Sequence, residues 1–231
     1  QLADAAAGRT WSDGRWAASL RATRDAHREE LTELASGADP MHPMDASLTV
    51  QKFVDDDTCM VFDGGDYCHF FRASFDCREP SRWLYVSSFG MIGVGLPYAL
   101  GAQVALPDKR VVLVVGDGSF GFNGMEVDTA VRHNLPVVTV LGNNSYWGID
   151  WQIQKGLYGR PVWTDLLTTR YDVVAEGLGA HGENVKTVDE LEPALERAFA
   201  SGKPALVNVR VGQIISPVAE AAIDRKLGSH G

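Results

Sequence analysis

The stretch VVLVVGDGSFGFNGMEVDTAVRHNLPVVTVLGNNSYWGID, residues 111–150, decides the fold. Two apolar runs, 111–115 and 137–141, each end in a small polar cluster: Gly116-Asp117-Gly118 after the first and Asn143-Asn144 after the second. The first run is apolar at every position and the second at all but Thr139, rather than at every second one, the pattern of strands covered on both faces. The segment between them predicts a helix over about 123–133. A strand, a crossover helix and a second strand joined in the right-handed sense make the strands parallel. Asp117 and Asn144 then share the carboxyl edge of the sheet, where ligands bind in this class of fold.

Outward from this unit the pattern keeps alternating. The sequence predicts a helix over 46–53, a strand over 59–62, a loop rich in Gly and aromatic residues through Arg82, a short strand over 84–86 and a helix over 93–105. Beyond it come a long loop to Trp163, a helix over 165–178, a short strand near Val185, a helix over 188–200 and a strand over 205–211. The expected class is α/β, a doubly wound, mostly parallel sheet with helices on both faces. Residues 1–45 read as a charged helix and a Pro- and Gly-containing linker forming the tail of a preceding domain, 46–215 as the ligand-binding domain, and 216–231 as a C-terminal tail or lid.

Composition narrows the function. The chain has 231 residues, 45% of them hydrophobic, enough to bury a real core. Thirty acidic residues against 21 basic ones give a net charge of -9, and no Lys/Arg stripe offers a nucleic-acid backbone a footing. No apolar run reaches membrane-spanning length and no signal-peptide pattern opens the chain, so the expected location is the cytoplasm. Cys59, Cys68 and Cys77 are odd in number and not spaced as a CxxC pair, and the six histidines are scattered, so neither a disulfide framework nor a zinc site is expected.

The two strand-end clusters carry the chemistry. Gly118 lets backbone approach a ligand, and Ser119 with its neighbours offers N–H groups of the kind that hold a phosphate. Yet Asp117 stands among them, and the span 116–144 holds one positive side chain, Arg132, with no P-loop lysine. A carboxylate next to a phosphate is repelled unless a divalent cation lies between them. Asp117, the Asn144 side-chain oxygen and a nearby carbonyl are hard oxygen donors of the type Mg²⁺ prefers. The residues alone therefore read as a Mg²⁺-diphosphate site.

Gly-Asp-Gly followed by about two dozen residues and Asn-Asn resembles the signature of thiamine-diphosphate enzymes in their cofactor-diphosphate-binding domain. That resemblance implies a metal on Asp117, on Asn144 and on the Tyr146 carbonyl, with Gly116, Gly118, Ser119, Asn144 and Trp147 around the cofactor. SFGMIGVGLPYALGA, residues 88–102, resembles the family segment whose large apolar residue props the cofactor into its bent form, here Ile92 or, failing it, Met91. Asp63-Gly64-Gly65-Asp66-Tyr67 is similar to the loop that touches the diphosphate from the other side, through Gly65 N–H and the Tyr67 hydroxyl, with Asp66 where a neutral or basic residue is usual.

The branch most resembled is that of acetolactate synthase, oxalyl-CoA decarboxylase and 2-hydroxyacyl-CoA lyase. It implies a lyase or decarboxylase acting on a small molecule, a CoA thioester among the candidates, with acetolactate-synthase-like carboligation of 2-keto acids and a noncatalytic cofactor-binding subunit as the alternatives. No catalytic residue is assigned within the chain. The family's activating Glu belongs to a pyrimidine-binding domain, which has no counterpart in this sequence, and Glu126 reads as a helix-dipole partner instead. That domain or subunit is the expected partner, within a homodimer or homotetramer.

Overall fold

The computed structural model describes residues 1–9, 14–77, 79–85 and 90–228, excepting the side chains of Pro80, Ala222, Lys226 and Leu227. Six parallel strands make one sheet, in the order β2-β1-β3-β4-β6-β5. They are β1 (Cys59–Asp63), β2 (Trp83–Tyr85), β3 (Val111–Gly116), β4 (Val138–Asn143), β5 (His181–Val185) and β6 (Ala205–Arg210). The unbroken apolar runs supply two cores at once, because successive side chains on a strand point to opposite faces. Val112, Val114, Val138, Val140, Val207 and Val209 pack on one side, and Val111, Leu113, Val115, Leu141 and Leu206 on the other.

The helices fill in around that sheet. They are α1 (Leu2–Ala6), α2 (Arg15–Thr32), α3 (Pro43–Gln51), α4 (Asp66–Ser74), α5 (Gly95–Ala105), α6 (Asp117–Asn123), α7 (Val127–Arg132), α8 (Gly148–Tyr158), α9 (Tyr171–Gly177), α10 (Val188–Ala200) and α11 (Pro217–Gly228). The α10 boundary is set by a capping box, in which the Thr187 side chain and Glu190 satisfy each other's backbone N–H groups. β1 runs to β2 on one side and the chain then returns past β1 to β3, so strand order reverses between β1 and β3. That reversal opens a crevice at the carboxyl ends of these strands.

Several elements differ from the sequence expectation. The Gly- and aromatic-rich loop contains α4, whose Tyr67, Cys68, Phe70 and Phe71 are buried at helical spacing. The long loop before Trp163 contains α8, in which no residue is fully buried although Ile149, Ile153 and Leu157 recur at helical spacing. The helix after the first polar cluster starts at Asp117 itself rather than near Asn123. Compact packing begins before Ala46, because Met41 is fully buried and bridges to Val211, and α3 opens at Pro43. The N-terminal helix α2 lies on this body through Leu31, which joins Met44 and Phe70 in a small third core. No helix among the described residues is long and apolar enough to cross a membrane.

Candidate functional site

At the crevice, a cavity of about 240 Å³ is walled by the ends of β1, β3 and β4. Gly64, Gly65 and Asp66 come from the first, Gly116, Asp117, Gly118 and Ser119 from the second, and Asn144 with Tyr146, Trp147 and Gly148 from the third. Tyr67 and Ile92 also border it. The structure thus gathers every site residue expected from the sequence around one space. A larger hollow of about 700 Å³, lined by Arg28, Asp55 and Asp76 among others, lies away from the strand ends and holds none of them.

Like Asp66 at 4% exposed, Asp117 is a buried carboxylate of this cavity, 3% exposed. Its Oδ1 accepts the Gly118 N–H at 2.9 Å and its Oδ2 accepts the Ser145 N–H at 2.8 Å. Burial pushes its pKa up to about 6, against the pull of those N–H groups and of the Arg210 charge. The Gly118 N–H, expected to face a phosphate, is instead taken by the neighbouring carboxylate. Asn144 lies one residue beyond β4, and its Oδ1 accepts the Tyr146 N–H at 3.3 Å. Tyr146 pairs with Asp165 in an isolated antiparallel bridge that uses the Ser145 carbonyl and the Trp147 N–H, leaving the Tyr146 carbonyl outside it. The hard-oxygen donors shared by the ends of β3 and β4 are therefore the Asp117 carboxylate, the Asn144 amide and a backbone carbonyl, with Asp66 and Asp150 also on the cavity lining. Among the described residues no cluster of three His, Cys, Asp or Glu side chains offers a competing metal site.

Two glycines keep the cavity open by letting aromatic and aliphatic walls come close. A Cβ on Gly118 would stand 2.7 Å from the Trp147 ring, and one on Gly65 would stand 2.7 Å from Ile149 Cδ1. Trp147 also meets Phe122 edge-on, with centroids 5.9 Å apart. Of the two apolar residues proposed as props, Ile92 borders the cavity whereas Met91 is 65% exposed. Ser88 and Phe89 of the same segment lie outside the described residues.

Other parts of the edge differ from expectation. Tyr67 packs its ring beneath Gly142, where a Cβ would meet it at 2.4 Å, and its hydroxyl is buried without a hydrogen-bond partner. Asn143 parts from Asn144: it is fully buried and bonds Asn208, Thr169 and Arg210 within the sheet. Arg132, the positive side chain noted between the clusters, is exposed and pairs with Asp128 on α7. The charge that reaches Asp117 is Arg210 at the end of β6, brought there by the register that sets it opposite Asn143. No local sequence spacing signals this pairing.

Two more acids have partners that the sequence alone did not indicate. Asp63 Oδ2 accepts the Gly93 and Gly95 N–H groups at 2.9 and 2.7 Å, tying the Ile92 segment to β1. Asp66 Oδ1 accepts the Ser216 hydroxyl at 2.8 Å, and the same hydroxyl lies 2.9 Å from His69 Nδ1, so the C-terminal segment is fastened to the cavity wall. Asp66 Oδ2 is buried without a partner. Burial raises the Asp66 pKa, and the negative charge of Asp150 adds to the effect.

The model of the "Thiamine pyrophosphate enzyme, C-terminal TPP binding domain" family matches residues 63–209, the span that contains all three walls of the cavity. The chain belongs to this family. It is 47% identical over 181 residues to a "Probable acetolactate synthase" from Mycobacterium bovis, covering 78% of this chain and 33% of that protein. It is 36% identical over 225 residues to "2-hydroxyacyl-CoA lyase 2" from Caenorhabditis elegans, covering 92% of this chain and 35% of the relative. Among solved structures, the thiamine diphosphate-dependent 4-hydroxybenzoylformate decarboxylase of Rhodococcus jostii RHA1 superposes with a TM-score of 0.71 at 29% identity, over 77% of this chain and 34% of that one. This thiamine pyrophosphate domain thus spans about a third of the length of the curated relatives it matches.

Proposed function

We propose that this domain is the diphosphate- and cation-binding portion of a carbon–carbon lyase or decarboxylase acting on 2-hydroxyacyl-CoA, oxalyl-CoA or a related 2-keto substrate. The observation that carries the reading is the convergence of Asp117, Asn144 and the Tyr146 carbonyl on one cavity inside the matched span. The extent of the likeness to the lyase, 92% of the chain, supports this substrate class. The higher identity to acetolactate synthase, 47%, favours the second reading, a carboligase of 2-keto acids.

The residues fit the cofactor. A buried carboxylate whose ionisation is disfavoured by burial gains most from a divalent cation, and the amide and carbonyl beside it complete a hard-oxygen set for Mg²⁺. Asp117, Asn144 and Tyr146 would hold the cation, while Gly65, Gly116, Gly118, Ser119 and backbone at Tyr67 would line the diphosphate. Ile92 and Trp147 would pack against the organic part and exclude water. Bound thiamine diphosphate supplies the carbanion chemistry itself. The Glu that assists proton removal from the cofactor would come from a pyrimidine-binding domain, which also makes a dimer or tetramer of the full enzyme the expected assembly.

The test is an assay of the full-length polypeptide with Mg²⁺ and thiamine diphosphate against 2-hydroxyacyl-CoA, oxalyl-CoA and pyruvate. Cleavage of a CoA thioester is the expected result. Acetolactate formed from pyruvate alone would select the carboligase, and no turnover with any substrate would refute both.

A further inference from the structure

Behind the cavity wall, a polar cluster holds Ser145 in a conformation that L residues seldom adopt, with φ at 63°. Its hydroxyl receives a hydrogen bond from Arg210 Nη1 at 3.1 Å, donates to Asn143 Oδ1 at 3.3 Å and lies 2.9 Å from Thr168 Oγ1. Its carbonyl accepts the Leu166 N–H at 2.8 Å. Arg210 Nη1 also donates to Asn143 Oδ1 at 2.9 Å. The Asn143 amide uses both N–H groups, toward Thr169 O and Asn208 Oδ1, so its oxygen cannot turn away from Arg210 without losing both bonds. What this scaffold presents to the site is one group, the Ser145 N–H, on Asp117 Oδ2.

We propose that Arg210 is a positioning residue for the cation held by Asp117. Together with Asn143 it pins Ser145 in its left-handed turn, and the Ser145 N–H then fixes the Asp117 carboxylate. The inference rests on the reading of Asp117 as a cation ligand and extends it to a residue on a different strand, β6. It differs from a direct effect of the guanidinium charge on Asp117, and the two make opposite predictions at Ser145.

Mn²⁺ serves as the probe, its uptake by the full-length polypeptide followed by electron paramagnetic resonance, alongside amide hydrogen exchange of the segment around Ser145 in metal-free protein. Arg210→Met is expected to speed that exchange and to weaken Mn²⁺ binding about 10- to 100-fold, the usual effect of losing a group that orients a metal ligand. Ser145→Ala leaves the guanidinium in place and is expected to weaken binding in the same direction, whereas a pure charge effect leaves it unchanged. Adding Ser145→Gly to Arg210→Met should restore most of the affinity, because glycine takes positive φ freely. Unchanged affinity in Arg210→Met or Ser145→Ala, or no recovery with Ser145→Gly, overturns the proposal. Wild-type protein that takes up no Mn²⁺ instead overturns the cation reading on which it stands.

Discussion

Asp63 and Asp117 sit at the ends of neighbouring parallel strands, both nearly inaccessible to water, and they do opposite work. Asp63 collects two N–H groups from a single following segment on one oxygen and has the Gly95 backbone pressed against it, so close that a Cβ there would stand 2.4 Å from the Asp63 Cβ. Asp117 spreads one N–H to each oxygen and borders an open cavity. For both, burial raises the pKa, but only Asp117 has space beside it for a positive ion. A buried carboxylate at a strand end is thus defined by what lies on its free side. Enclosed, it fastens the chain; left facing a cavity, it has room for a cation, the role proposed for Asp117.

The sharpest way to break this contrast is to remove each acid. Asp63→Ala strands two buried backbone donors, at about 1–3 kcal/mol each when left without a partner, and should lower stability by about 3 kcal/mol in chemical denaturation. Asp117→Ala also frees two N–H groups, those of Gly118 and Ser145, but leaves them beside a cavity that water can enter, so it should cost less stability yet abolish Mg²⁺-dependent cofactor uptake; equal stability losses would erase the distinction.

A pH titration separates the two in another way. Asp117 has a folded pKa of about 6, above the ~3.9 of an unfolded Asp, so the folded state binds that proton more tightly. Its contribution to the stability of metal-free protein is therefore fully present below about pH 4 and is lost as pH rises through 6, by up to about 3 kcal/mol. Asp117→Asn should remove this slope between pH 4 and 6 in denaturation curves. A slope unchanged by the substitution would place the titrating group elsewhere.

A smaller effect distinguishes the glycines that face the two acids. Gly95→Ala pushes a methyl group into Asp63 Cβ and Leu113, both fixed in the sheet, whereas Gly118→Ala meets the Trp147 ring at the cavity rim. The first should destabilise the fold by about 1–3 kcal/mol, as overpacking of a tight site does. The second should act mainly on cofactor affinity, which calorimetry on the same pair would show.

The sheet was legible in the sequence because the runs at its centre, VVLVV and VVTVL, are apolar at nearly every position rather than at alternate ones, the mark of burial on both faces. Asp117 and Asn144 were legible because they follow directly on those strands. What escaped depends on pairing across the sheet rather than on spacing along the chain. Arg210 reaches Asn143 and Ser145 through the β4–β6 register, which also sets Asn208 beside Asn143. The left-handed turn at Ser145 has no glycine to mark it. The helix α4 was hidden because its aromatic residues resemble a loop in composition, and α8 because glycines at both its ends and Gly156 within it read as loop despite Ile149, Ile153 and Leu157 at helical spacing. The packing of the Tyr67 ring against Gly142 escaped for a related reason: the two are distant in sequence.

The most direct test is a calorimetric titration of the full-length polypeptide with thiamine diphosphate, with Mg²⁺ present and with the metal removed by a chelator. A cation site built on Asp117, Asn144 and the Tyr146 carbonyl predicts tight uptake with Mg²⁺ and little without it. Equal affinity under both conditions would contradict it.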